Sequence, residues 1–274
     1  MIDLSICPTF ACNMNCKFCY LRNHDEERLS LIRLFRVLRK YRNNIRNLDI
    51  YGGEITILPR LYSSMMMFIV DHLYSGKIQF ISNGLSTPGF WIDQFVNHEI
   101  GFSVDKSRKN KDIVYNNIRS FDRIGKRYSI LTVDIDDIDD EFLSSLKNVK
   151  AVSIKPYSIP EGGLPYKSKM LESYKRIYST NRTLFSKLER TQPDRDAVGH
   201  FFLLPDGNLY DIQYNNNREY FERAERCNQK MDQRCVACEY FGRCFNEHYS
   251  GYRVPDTGDC LGRKEVMRFL DSLP

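Results

Sequence analysis

The stretch Leu4-Ser5-Ile6-Cys7-Pro8-Thr9-Phe10-Ala11-Cys12-Asn13-Met14-Asn15-Cys16-Lys17-Phe18-Cys19 decides the reading of this chain. It opens as a short β-prone run and turns at Pro8 into a loop with three cysteines at C-x3-C-x2-C spacing. Active-site residues of parallel α/β folds gather in loops at the carboxyl ends of strands. Three thiolates suit a [4Fe–4S] cluster with one iron left open, since a fourth cysteine would close it. An open iron can chelate a small ligand. A zinc site completed by Cys7 or His24 uses the same residue types.

Outward from this loop, apolar β-prone runs recur at Leu48 to Tyr51, Ile78 to Ile81, Ile100 to Val104, Ser129 to Val133 and Val149 to Ile154. Helical patterns lie between them. The clearest has Leu31, Leu34, Phe35, Leu38 and Tyr41 at helical spacing, with Arg33, Arg36 and Arg39 interleaved. Others cover Tyr62 to Leu73, Ile113 to Ile124 and Phe142 to Leu146. Strands alternating with helices over about 155 residues predict a parallel α/β domain. Periodicity leaves open a doubly wound sheet or a partial barrel. A Gly/Pro-rich break at Pro160 to Pro165 precedes one or two helices within 168–190, and Pro205-Asp206-Gly207 between two apolar runs signals a hairpin. The expected division is 1–165 for the α/β domain, 166–195 for a helical connection and 196–274 for a small C-terminal domain.

The chain has 274 residues, 42% hydrophobic and 27% charged, with a net charge of +5, an ordinary composition for a folded protein. Its longest apolar run, Met65 to Val70, falls far short of the roughly 18–20 residues of a membrane span. The start, Met1-Ile2-Asp3-Leu4, lacks a basic segment followed by an apolar core, so a cytoplasmic location is expected. Nine cysteines cannot all pair within one chain, and none lies between Cys19 and Cys227. Two separate metal sites are the natural reading.

Cys12, Cys16 and Cys19, with Phe18 before the third cysteine, resemble the cluster motif of the radical S-adenosylmethionine (SAM) superfamily. Gly52-Gly53-Glu54 resembles its GGE motif, Ser82-Asn83-Gly84 its T-N-G, and Ser103 with Asp105 its S-x-D. Ile55 stands where many members have proline. The resemblance implies a partial (β/α)6 TIM-like barrel and a [4Fe–4S] cluster whose open iron holds SAM. One electron would split SAM into methionine and a 5′-deoxyadenosyl radical, which abstracts a substrate hydrogen. Glycines at 52 and 53 would allow close approach of a ligand. Glu54 would accept from the SAM ammonium. Asn83 and Ser103 would meet the SAM amino acid or ribose, with Ser82 and Asp105 beside them, and Phe18 would pack near the adenine.

Cys235, Cys238, Cys244 and Cys260 offer four more thiolates, for which zinc is a serious rival on spacing alone. Behind such a barrel they resemble the SPASM/twitch extension in truncated form. Ile212 and His248 occupy positions where full members have cysteine. The resemblance therefore implies one auxiliary [4Fe–4S] cluster on Cys235, Cys238, Cys244 and Cys260, with Cys227 as an alternative fourth ligand. Such a cluster, with no open iron, would carry electrons or stiffen the small domain. Cys7 and Cys227 read as buried thiols. The sharper reading makes one of them, Cys227 ahead of Cys7, a hydrogen-atom donor to a substrate radical.

Residues 22–46 hold eight Arg/Lys against three Asp/Glu, read first as a solvated helix face and second as a dock for an acidic partner. Nucleic acid is a weaker reading, since aromatics are not interleaved there in any stacking pattern. The resemblance implies a flavodoxin or ferredoxin as electron donor. The expected activity is modification of a ribosomally made peptide, by crosslinking or epimerisation. Against this reading, the barrel is expected to begin at residue 2, so a peptide-recognition domain would be expected as a separate chain. The alternatives are a small-molecule epimerase, dehydrogenase or lyase acting on a sugar, nucleoside or amino-acid derivative, and a non-catalytic iron–sulfur or zinc protein.

Overall fold

A computed structural model of the chain describes residues 2–16, 26–86, 89–105, 110–132, 138–154, 166–188, 200–210, 237–240 and 258–274. The strands are β1 (Ile2–Ile6), β2 (Ile45–Ile50), β3 (Ile78–Ser82), β4 (Glu99–Ser103), β5 (Tyr128–Thr132), β6 (Val149–Ile154), β7 (His200–Leu203) and β8 (Leu209–Tyr210). The helices are α1 (Leu31–Tyr41), α2 (Arg60–Leu73), α3 (Gly89–Asn97), α4 (Lys111–Arg123), α5 (Asp140–Ser145), α6 (Tyr166–Thr180), α7 (Arg182–Lys187) and α8 (Gly258–Asp271).

The described strands form one sheet in the order β6-β5-β4-β3-β2-β1-β7-β8. From β1 to β6 every neighbouring pair is parallel, and the spatial order never reverses. A doubly wound sheet reverses direction at a switch point. A single winding sense with right-handed crossovers puts all the helices on one face, as in a partial TIM-like barrel. This resolves the choice that periodicity left open.

The two faces of the sheet differ accordingly. Leu4, Ile6, Leu48, Ile50, Phe80, Ile100, Phe102 and Ile130 are fully buried and form the core with the helices. The alternating positions Asp49, Gln79 and Ser129 are half-buried. Strands covered on both faces would read as continuous apolar runs. The alternation marks the second face as the interior of an open barrel.

Aromatic packing closes the helical side. Phe80 meets Trp91 at 5.6 Å and Phe95 at 5.4 Å, and Phe102 meets Phe121 at 5.7 Å. Each such contact contributes about 0.5–1.5 kcal/mol beyond its buried area. Trp91 and Phe95 belong to α3, which sequence periodicity did not indicate. Pro88-Gly89 reads as a turn, and nine residues are too few to be helical in isolation. Docking of Trp91 and Phe95 onto Phe80 supplies what propensity lacks.

The hairpin β7–β8 forms as Pro205-Asp206-Gly207 suggests, with Gly207 at φ 79°. Its place could not be read from local signals. β7 runs parallel to β1, from Asp3 against His200 to Ile6 against Leu203, so the hairpin extends the barrel sheet itself. At the end of the chain α8 docks on α6 and α7. Phe269 meets Tyr178 at 5.7 Å and Phe185 at 6.4 Å, and Val266 and Met267 are buried.

Candidate functional site

The sequence motifs meet at the carboxyl ends of β1 to β4. The loop after β1 is pinned first. The Cys7 amide donates to Leu203 of β7 at 2.8 Å, and the Leu29 amide to Pro8 at 2.9 Å. The Thr9 hydroxyl donates to the Glu27 carbonyl at 3.0 Å and accepts from the Ala11 amide at 3.1 Å. These bonds aim the segment carrying Cys12 and Cys16 across the sheet end. Both thiols are half-buried, and neither belongs to a disulfide. Phe18 and Cys19 lie outside the described residues.

The loop after β2 locks onto this segment. The Gly53 amide donates to Thr9 at 2.9 Å and the Glu54 amide to Ala11 at 2.8 Å. A Cβ on Gly53 would stand 2.0 Å from the Ala11 carbonyl oxygen, and one on Gly52 would stand 2.6 Å from Cys7 Sγ. The glycine pair therefore admits the cysteine loop itself, where the sequence reading had a ligand approaching.

Glu54 is 1% exposed. The Thr56 amide and hydroxyl donate to its Oε1 at 3.1 and 2.7 Å, and the Ser82 hydroxyl does so at 2.9 Å. The Asn83 amide donates to Oε2 at 2.7 Å. Burial pushes the carboxyl above its usual range, and these four bonds pull in the opposite direction. A carboxylate has about two acceptor positions on each oxygen; Oε1 takes three of these donors and Oε2 one, so Oε2 is the oxygen with capacity for a ligand ammonium. The Thr56 and Ser82 hydroxyls can rotate away, whereas the two amides cannot.

Asn83 ties the third loop to the first. Its side-chain amide donates to Asn13 Oδ1 at 2.7 Å and reaches Cys12 Sγ at 3.9 Å, while the Leu85 amide donates to Asn83 Oδ1 at 3.0 Å. Gly84 follows at φ 73°, a left-handed conformation that glycine adopts without strain. Asn117 of α4 holds the Gly84 carbonyl at 2.7 Å. Ser103 is half-buried and Asp105 3% exposed at the end of β4, where the Val104 amide donates to Leu131 at 2.8 Å. Thr56, Asn13 and Thr9 are partners that sequence reasoning missed. They belong to no spaced motif, and only the folded loops bring them to the motif residues.

Cys7 is set apart from the other thiols. It is 5% exposed, donates to the Thr9 carbonyl at 3.4 Å, and burial pushes its thiol far up. Its enclosure and its bond to Thr9 fit the reading of Cys7 as a buried thiol. Cys227, Cys235 and Cys244 lie outside the described residues. Cys238 is half-buried in the segment 237–240, which Glu239 links to Arg268 of α8 at 3.2 Å. The backbone of Cys260 belongs to the first turn of α8. Among the described residues no three ligating side chains are gathered. Thiols without disulfides on a short pinned loop nevertheless match the donor chemistry of an iron–sulfur cluster.

Residues 6–159 match the family model described as "Radical SAM superfamily". No curated protein matches the sequence. Among solved structures, "Native anSMEcpe with bound AdoMet" is similar with a TM-score of 0.71 at 12% identity, over 99% of this chain and 97% of that one. The same protein "with bound AdoMet and Cp18Cys peptide" gives 0.68 at 13% identity, over 98% and 96%. Streptococcus suis SuiB "bound to precursor peptide SuiA" gives 0.62 at 15% identity, over 89% of this chain and 70% of that one. No described helix is long and apolar enough to cross a membrane.

Proposed function

The chain belongs to the radical SAM superfamily, whose model spans residues 6–159 of 274, and from that premise we propose that it modifies a ribosomally made peptide. The modification is a crosslink or an epimerisation. The observation that carries the reading is the joining of three loops around Cys12, through Asn83 and Glu54, at the open end of the barrel. Support for a peptide comes from the similar folds of anSMEcpe and SuiB, both solved with peptides. Among the described strands β8 is outermost, and its edge would suit pairing with an extended peptide.

Cys12, Cys16 and Cys19 would hold the [4Fe–4S] cluster. When bound, the cluster and SAM supply reductive cleavage and hydrogen abstraction; the protein positions and shields. Glu54 would accept the SAM ammonium. Ser82, Asn83, Ser103 and Asp105 would line the SAM amino acid and ribose, and Phe18 the adenine. Gly52 and Gly53 keep the cysteine loop seated on the β2 loop. Residues 196–274 would form a truncated SPASM/twitch-like region with one auxiliary [4Fe–4S] cluster on Cys235, Cys238, Cys244 and Cys260. Cys227 is its alternative ligand, or a hydrogen-atom donor whose thiol the electron donor restores. A flavodoxin or ferredoxin in the cytoplasm would supply electrons.

The half-buried Asp49, Gln79 and Ser129 on the inner face favour a second reading, a small polar substrate such as a sugar or nucleoside. The test is anaerobic reconstitution followed by SAM and dithionite. Formation of 5′-deoxyadenosine, stimulated by a short peptide encoded beside the gene, supports the first reading; stimulation only by sugars or nucleosides supports the second. Failure to cleave SAM at all leaves the non-catalytic alternative. About eight irons per chain indicate two clusters, and about four with one zinc make the C-terminal site structural. Cys238→Ala should lower the iron content, and an unchanged count rejects the auxiliary cluster.

A further inference from the structure

The loop after β3 is held from two sides. Toward the cysteine loop, the Asn83 amide donates to Glu54 Oε2 at 2.7 Å and the Asn83 side chain donates to Asn13 Oδ1 at 2.7 Å. From the helical layer, α4 packs against the same loop. Val114, Ile118 and Phe121 bury one face of α4 in the core, and Phe121 meets Phe102 at 5.7 Å, so this helix is a fixed support. Asn117 follows Val114 by three residues and lies beside it on the helix surface. It is half-buried, whereas the adjacent Asn116 is exposed. Helix interiors do not favour asparagine, because its side chain competes for backbone hydrogen bonds. At 117 that side chain serves another segment.

Asn117 Nδ2 donates to the Gly84 carbonyl at 2.7 Å and reaches the Leu85 carbonyl at 3.5 Å. Gly84 is shaped for this contact. Its φ is 73°, and a Cβ there would stand 3.1 Å from Val114 Cγ1 and 3.3 Å from Phe102 Cδ1. The turn therefore lies against α4 with little room to spare. Gly84 and Leu85 also set the two residues before them. The Leu85 amide donates to Asn83 Oδ1 at 3.0 Å, an Asx turn that fixes how the Asn83 side chain is presented. The Gly84 amide donates to Ser82 Oγ at 3.1 Å, and that hydroxyl donates to Glu54 Oε1 at 2.9 Å. A shift of Gly84 or Leu85 is thus passed to Asn83 on the cysteine loop and to Ser82 on Glu54.

We propose that Asn117 is a positioning residue: from α4 it fixes the 82–85 turn, and through Asn83 and Ser82 it places the cysteine loop and the SAM held there. The identity of that ligand rests on the proposed function. Asn117 acts through Gly84 and has no part in the chemistry itself. Side chains that orient a ligand need support from a rigid element, and α4 supplies it. Loss of an outer partner of this kind costs about 10–100-fold in affinity or activity.

The test compares Asn117→Leu, which keeps the bulk and removes both donors, and Asn117→Ala with the control Asn116→Ala. In the full-length chain before reconstitution, amide exchange at residues 82–85 and 11–14 should speed up about tenfold in the Asn117 variants, a local opening that leaves the denaturant midpoint and the rest of the barrel as in wild type. Asn116→Ala should match wild type throughout. After anaerobic reconstitution the iron count should be unchanged. A SAM titration, followed by the electron paramagnetic resonance spectrum of the dithionite-reduced cluster, should need about tenfold more SAM for half its change. The cleavage rate at saturating SAM should stay within about threefold, the split expected when binding rather than chemistry is lost. An unchanged SAM midpoint in both Asn117 variants overturns the proposal. So does exchange that rises throughout the barrel with a lowered denaturant midpoint, since the role is then general support. If Asn117→Leu misfolds, Asn117→Ala decides. A wild-type chain that binds SAM without cleaving it fails the proposed function, and the titration still judges Asn117. If wild type binds no SAM, the proposed function fails and exchange at residues 11–14 judges the placement of the cysteine loop.

Discussion

The two ends of the sheet use their polar groups differently. At the amino ends, Arg46 donates twice to Asp3 at 3.0 and 2.8 Å, and Lys150 meets Glu99 at 2.6 Å. Asp122 gathers the Lys147 and Asn148 amides and the Tyr128 hydroxyl at 2.8 to 3.2 Å. These contacts mostly tie neighbouring strands or turns and face water at one side. At the carboxyl ends, Glu54 and Asn83 join three separate loops, and the central carboxylate is buried. One end consolidates the fold; the other spends buried polarity to place thiols. The same division holds in TIM barrels, where the carboxyl face carries chemistry and the amino face stability.

The sharpest break of that contrast is Cys12→Ala. It should leave the thermal transition nearly unchanged and abolish SAM cleavage, with the iron count per chain reduced by about four. Next is Gly53→Ala, whose methyl group would collide with the Ala11 carbonyl at 2.0 Å. Both properties should suffer: stability by about 1–3 kcal/mol, read by denaturant titration, and SAM binding by at least tenfold as the cysteine loop is displaced.

The smallest effect belongs to the amino end. Burial alone would raise the Asp122 carboxyl, but hydrogen bonds from the Asn148 and Lys147 amides and from Tyr128 and Asn148 side chains hold it below the usual carboxylate range. A lowered value in the folded state means that the stabilisation is present above the unfolded value of about 3.9 and fades as pH falls through the lower folded value. Asp122→Asn should cost about 1 kcal/mol at neutral pH and flatten the acid limb of the stability profile, without touching the SAM cleavage rate. A loss of cleavage in this variant would blur the division between the two ends.

The position of the candidate residues was legible in the sequence wherever a residue type recurs at fixed spacing after a strand. Cys12 and Cys16, Glu54, Ser82, Asn83, Ser103 and Asp105 all lie at the carboxyl ends of β1 to β4, where the motifs placed them. What each contacts was not legible. Glu54 stands out as a candidate acceptor, yet Thr56 and Ser82 as its donors come from a loop closure that no local pattern encodes. Gly52 and Gly53 signal close approach, and only the packed loops show that the approaching group is the protein's own backbone.

The sequence by itself determined the alternation of strands and helices, the hairpin at Pro205-Asp206-Gly207 and the cysteine loop after the first strand. These follow from side-chain periodicity and turn chemistry, which act over a few residues. Tertiary structure alone decided the unreversed strand order, the pairing of β7 with β1 and the existence of α3. Each depends on partners brought together across long stretches of chain. The competition for buried area and hydrogen bonds that selects them is settled only when the whole core closes.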